Sequence, residues 1–157
     1  MTATGSPPPD RPRLDDHPFF HGFEPEFLRR LEPAVSERTL DPDAILFREG
    51  TPARAFYLVR DGKIALELHS PGGPPLTIQT VGPREVIGWS WLVPPHRWRF
   101  DARALKATRL FAIEAGPLRA AIDAEPLQGL RLLRQLLPVL AERLEMARVQ
   151  VLDVHRR

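Results

Sequence analysis

From Glu37 to Glu114 the chain is a series of short branched and aromatic runs, each cut off by a turn signal before it could build a helix. The runs are Glu37–Leu40, Ile45–Phe47, Ala55–Arg60, Lys63–His69, Leu76–Val81, Glu85–Ile87, Ala102–Ala107 and Leu110–Glu114. Between them stand Asp41-Pro42-Asp43, Glu49-Gly50-Thr51-Pro52, Asp61-Gly62, Pro71-Gly72-Gly73-Pro74-Pro75 and Gly82-Pro83, residues that supply the fixed or positive φ a reversal needs. Short strands at this density predict an antiparallel roll or barrel. They exclude a parallel α/β sheet, whose crossovers require helices between strands. Asp61-Gly62, between YLVR and KIAL, is the strongest local hairpin signal, because both central positions of a type I′ turn need positive φ. In the next run Ile64, Leu66 and Leu68 alternate with Ala65, Glu67 and His69, which predicts one buried face and one wetter face.

Helical patterns flank this block. His17 to Val35 places Phe19, Phe20, Phe23, Phe27, Leu28 and Leu31 at helical spacing, with Pro25 suited to a first turn. One or two short helices with a core-facing phenylalanine side are expected. Gly116-Pro117 opens a short helix over Leu118–Asp123, and a long helix runs from about Pro126 to Val154. Along it Leu130, Leu133, Leu137, Leu140, Leu144, Ala147, Val151 and Val154 keep an uninterrupted heptad alternation, the signature of a helix-to-helix seam. Leu132, Leu136 and Val139 widen the stripe toward the chain's own domain, and Pro138 is expected to kink the helix or remove a backbone bond. Because the half from Glu142 to Val154 exceeds what a small roll can cover, the seam from Leu130 to Val151 is read as a homodimer interface. Residues 1–16, rich in proline and charge, read as a disordered lead-in. The division is then 1–16 lead-in, 17–125 roll with short helices, and 126–157 dimer helix.

Composition removes several function classes. With no cysteine among 157 residues there is no disulfide, thiolate metal site or thiol nucleophile. Of the histidines (His17, His21, His69, His96, His155) no two share a His-x-His or short helical spacing except His17/His21, which sit at the edge of the lead-in, and no phosphate loop or nucleophile elbow occurs. No catalytic residue and no metal is assigned. A net charge of +2 is too small to argue for nucleic acid. The N-terminus lacks a signal-peptide pattern and no apolar run is long enough to span a bilayer, so the expected location is cytoplasmic.

The unusual residues concentrate in Val86–Ala104, VIGWSWLVPPHRWRFDARA, which holds all three tryptophans, Trp89, Trp91 and Trp98. FREGTPARAFYLVRDGKIAL (Phe47–Leu66), then GPREVIGWSWL, then ARALKATRLFAIEAG, resembles the cyclic-nucleotide-binding domain of the catabolite-activator and fumarate–nitrate regulator superfamily. Gly50, Gly62, Gly82 and Gly88 sit at the spacings where that family's roll turns. The resemblance covers roughly residues 17–155. It implies a mainly β fold with flanking helices, namely a double-stranded β-helix (a jelly-roll-like β-roll) with an N-terminal helical element and a long C-terminal dimerisation helix.

The same resemblance makes Val86–Ala104 the phosphate-binding cassette. There the family begins a short helix after a glycine, whose free N–H groups meet the cyclic phosphate. A glutamate next to that glycine accepts from the ribose, and a later arginine neutralises the phosphate. Here Gly88 is present and Trp89 stands at the glutamate position. Aligned forward from Gly88, Arg99 takes the arginine position; aligned back from Thr108, Phe100-Asp101-Ala102 does, and both alignments stand. Arg97, Arg99 and Arg103 are the candidates to face a phosphate. The candidate ligand-binding set is Gly88, Trp89, Ser90, Trp91, Arg97, Trp98, Arg99, Asp101 and Ala102, with the indoles offered as stacking faces.

Two functions follow. One is a non-enzymatic sensor that binds a cyclic nucleotide or other nucleotide-like anion and passes its occupancy to the dimer helix, and through it to a protein partner. The other is a ligand-free interaction module of the same fold, its tryptophans filling the vacated site. The sequence stops at Arg157, where full-length regulators of the superfamily continue into a winged helix-turn-helix, so no direct DNA binding is expected of this chain alone.

Overall fold

The computed structural model describes residues 13–156. Among them eight strands appear: β1 (Val35–Leu40), β2 (Ile45–Phe47), β3 (Ala55–Asp61), β4 (Ile64–Leu68), β5 (Leu76–Val81), β6 (Val86–Ile87), β7 (Asp101–Ala104) and β8 (Thr108–Glu114). They form two four-stranded antiparallel sheets, β1-β8-β3-β6 and β2-β7-β4-β5. Three helices flank them, α1 (Pro25–Leu31), α2 (Ala115–Ala124) and α3 (Pro126–His155). The mainly β roll with flanking helices is as the sequence predicts, since most strands end beside a proline, glycine or aspartate; β7 is the exception, ending before Leu105-Lys106-Ala107.

β3 lies between β8 and β6 and is buried from Ala55 to Val59, which is why it reads as a continuous apolar run. Successive side chains leave a strand on opposite faces. Phe56 goes to one side, its ring 5.2 Å from Phe19 and 5.0 Å from Trp91. Tyr57 goes to the other, 6.1 Å from Phe47 and 6.0 Å from Trp98.

Two local expectations are corrected. Asp61-Gly62 is not a hairpin turn: β3 and β4 belong to different sheets, and the dipeptide carries the chain from one to the other. Both neighbours of β3 are already taken by β8 and β6. Gly62 does adopt φ +100°, and its Cα packs against Thr108, whose Oγ1 accepts from the Lys63 N–H at 3.2 Å. The wetter face of β4 is not wet either. Glu67 is 4% exposed, because Arg103 of β7 reaches it with two bonds of 2.8 and 3.1 Å.

Residues 1–12 of the expected lead-in lie outside the described residues. Its last part is ordered: Leu14–Asp16 forms a 3-10 turn with Leu14 buried, and a second turn follows at Pro18–Phe20. Phe19, Phe20, Phe23, Phe27, Leu28 and Leu31 all enter the core. His17 holds this corner to the roll. Its Nδ1 accepts from the Phe19 N–H at 3.2 Å, so Nε2 carries the proton and donates to the Val59 carbonyl at 3.0 Å. Burial lowers the His17 pKa below the usual imidazole value.

α2 begins earlier than expected, at Ala115, with Gly116 and Pro117 inside its first turn, where a proline lacks nothing it could have donated. α3 continues through Pro138. Leu132 and Leu136 pack fully against the domain, each such burial stabilising by about 1.5–3 kcal/mol. Leu130, Leu133 and Leu137 face outward and are exposed. The half beyond Glu142 is left uncovered by the roll, as expected: every residue from Leu144 to Arg156 is exposed. It lies over β4 and β5, and Gln150 Nε2 donates to the Ile78 carbonyl at 3.3 Å.

Candidate functional site

Where α3 passes over the second sheet it leaves a cavity of about 610 Å³. Leu66 and Leu68 of β4 with Leu76 and Ile78 of β5 form the floor. They share one face because the register sets Leu68 opposite Leu76, and a bulge after Leu66 realigns the remainder. Leu140, Leu144, Ala147 and Val151 of α3 form the roof, and Trp89, Arg99, Phe100 and Arg143 close one end. The volume falls inside the ~300–1,000 Å³ typical of small-molecule pockets.

The cassette reaches this cavity with only part of its sequence. Gly88 has φ +84°, a left-handed conformation, and Trp98 lies flat against it: a Cβ at position 88 would sit 2.5 Å from the indole Cζ3. Trp98 stacks on Phe47 with centroids 3.7 Å apart and planes 5° apart. Trp91 is wholly buried beside Phe56. Of the three indoles expected to offer ligand faces, Trp91 and Trp98 are therefore core, and Trp89 alone lines the cavity. After Gly88 the chain makes a turn, with Leu92 and Val93 N–H groups donating to the Trp89 carbonyl at 2.9 and 3.2 Å, and no helix. The helix N-terminus expected to meet a phosphate is not built.

The remaining candidates separate by strand parity. Ala102 pairs with Leu66 and is fully buried on β7. Asp101 points to the opposite face, accepting from the Glu49 N–H at 2.7 Å and from Arg48 at 3.2 Å. Arg103 shares that face, bound to Glu67 and to Asp43 at 2.8 Å. Arg97 donates to the Gly50 carbonyl at 2.7 Å, stapling the cassette to the β2–β3 loop. Ser90 Oγ and Trp91 Nε1 are buried without a hydrogen-bond partner among the described residues, and neither lines the cavity. Among Arg97, Arg99 and Arg103, only Arg99 borders it.

The residue that sequence reasoning missed is Arg143. It continues the domain-facing phase of α3 (Leu132, Leu136, Val139, Arg143), a cation at a position where the stripe asks for an apolar side chain. That irregularity was the available signal. Its guanidinium carbon lies 4.9 Å from the Trp89 ring centre, and Nη2 donates to the Val86 carbonyl at 3.2 Å. Nε and Nη1 are buried with no partner among the described residues. Burial pushes the Arg143 pKa down to about 10, against the opposing fields of Glu85 and Glu142. On the other side of the cassette Arg119 of α2 donates to the Trp91 carbonyl at 2.6 Å. Among the described residues no acidic or histidine cluster could hold a metal, and no helix is long and apolar enough to cross a membrane.

An antiparallel roll whose own last helix closes a cavity over the second sheet defines the class, a β-roll domain of the cyclic-nucleotide-binding kind. The chain belongs to the cyclic nucleotide-binding domain family, which residues 37–125 match. It is 29% identical over 134 residues to the cyclic AMP receptor protein of Thermus thermophilus, covering 85% of this chain and 60% of that relative's length. Among solved structures it is similar to a Geobacter metallireducens GS-15 protein named for cyclic nucleotide binding (TM-score 0.74, 25% identity, 84% of this chain and 96% of the other). It is also similar to the N-terminal domain of a transcriptional regulator from Streptomyces coelicolor A3(2) (TM-score 0.66, 30% identity, 85% and 94%).

Proposed function

We propose that the chain is a non-enzymatic regulatory module that binds a small anion in the cavity beneath α3 and transmits its occupancy through a homodimer formed by that helix. The observation that carries this reading is the cavity itself: one helix supplies its roof from Leu140 to Val151 and, on its outer face, an exposed apolar row at Leu130, Leu133 and Leu137. A ligand that prefers one placement of the roof also shifts the placement of the row, since both lie on one helix that continues through Pro138. By family the first candidates are cyclic nucleotides, and cAMP is the one the Thermus relative's name supplies.

The test is a titration followed by tryptophan fluorescence and by thermal shift. The probes are cAMP, cGMP, cyclic dinucleotides and medium-chain organic acids. Because Trp91 and Trp98 are encased, a change in emission reports on Trp89. Saturable quenching with a rise in Tm supports the module as a sensor. A flat response to every probe overturns it in favour of a ligand-free interaction module. That second reading is favoured by one observation, the Trp98 ring packed against Gly88 where the family's phosphate would approach.

A further inference from the structure

We infer that the ligand of this cavity is an apolar organic acid, its hydrocarbon body held between the roll and α3 and its carboxylate or phosphate head received by Arg143 with Arg99. This deepens the sensor reading and rests on it.

The walls decide the body. Floor and roof are aliphatic, and the polar side chains that border the space are few: Gln79, Arg99, Arg143, Gln150 and His155. Two of these are already engaged, Gln150 with the Ile78 carbonyl and His155 with the Val151 carbonyl at 2.9 Å. No aspartate or glutamate lines the cavity. A sugar hydroxyl buried there would find no carboxylate to accept its proton, and an unpaired buried hydroxyl costs about 1–3 kcal/mol. A hydrocarbon chain meets no such cost.

The cations decide the head. Arg143 presents two buried guanidinium nitrogens that lack an acceptor, and no carboxylate lies within ion-pair distance of it among the described residues. Arg99 borders the same space and makes no hydrogen bond or ion pair among the described residues. A buried cation left short of acceptors is unfavourable until an anion arrives, and a guanidinium fork matches the two oxygens of a carboxylate or the several of a phosphate. Trp89 stacks on the Arg143 guanidinium, and because Nε and Nη1 are closed off where they stand, the side chain turns toward the cavity to take the head. A second copy of the chain does not answer this chemistry, since the outer face of α3 offers leucines to a neighbour.

The experiment measures binding of decanoate, decyl phosphate, decanol and cAMP by Trp89 fluorescence, below the micellar range of each amphiphile. Decanoate or decyl phosphate is expected to bind roughly ten- to a hundred-fold more tightly than decanol, the factor charge-assisted hydrogen bonds convert to. The stronger of the two acids identifies the head group. In Arg143→Gln the preference for acid over alcohol is expected to fall toward parity. Equal affinity for acid and alcohol in the unaltered protein overturns the inference without any variant having to fold. Saturable cAMP binding with no decanoate binding overturns it too, while leaving the sensor reading in place. If none of the four binds and cGMP and the cyclic dinucleotides also give a flat response, the sensor reading itself falls.

Discussion

A methyl group added at position 88 would have to occupy the space of the Trp98 ring while the backbone held φ +84°. A non-glycine residue pays about 1–2 kcal/mol for that conformation, and overpacking adds about 1–3 kcal/mol. Gly88→Ala is therefore expected to lower stability by about 2–5 kcal/mol, read by thermal unfolding, with loss of the near-ultraviolet signal of the stacked indole. His17 sets a second expectation. Its native pKa lies below the 6.5 of an ordinary imidazole, so above that pH neither state carries the proton and the residue adds no pH dependence. Below it the unfolded chain binds a proton that the native corner refuses, and stability falls as the solution is acidified. Unfolding of the unaltered protein and of His17→Gln between about pH 7.5 and 5 checks this: the histidine form should lose more. Single residues were unevenly legible. Trp89, Trp91 and Trp98 look alike in the sequence, and depth in the fold alone divides one cavity wall from two core plugs.

At the scale of elements, the strands were legible because turn chemistry is local. The partners of β3 and β4 were not, because which sheet a strand joins depends on edges supplied from far along the chain. The same limit hid Arg143: its spacing is visible in the text, but what it meets depends on how α3 is rotated against the roll. The two faces of α3 can be told apart by mutation. Leu132→Ala removes a side chain buried in the domain and should cost about 2–5 kcal/mol in thermal unfolding. Leu137→Glu changes a residue that is 60% exposed. It should leave the circular dichroism of the roll unchanged and convert dimer to monomer, measured by light scattering after size exclusion. A variant that stays dimeric would remove the seam from the mechanism.

For the molecule as a whole, the segment around Gly88 is gripped on both sides by a guanidinium from each of the last two helices, Arg143 on the Val86 carbonyl of β6 and Arg119 on the Trp91 carbonyl in the turn that follows. Hydrogen exchange offers a direct measurement with and without a saturating ligand. A change of exchange rate in residues 86–92 should be accompanied by a change in α2 and in the distal half of α3; a change confined to the turn would argue against a joint response. If Arg143 swings toward a bound anion it must loosen its hold on Val86, and the strap across the mouth of the roll is then tied at a single point. Loading and unbuckling would thus be one event, and the same side chain that greets a guest would release the lintel above it.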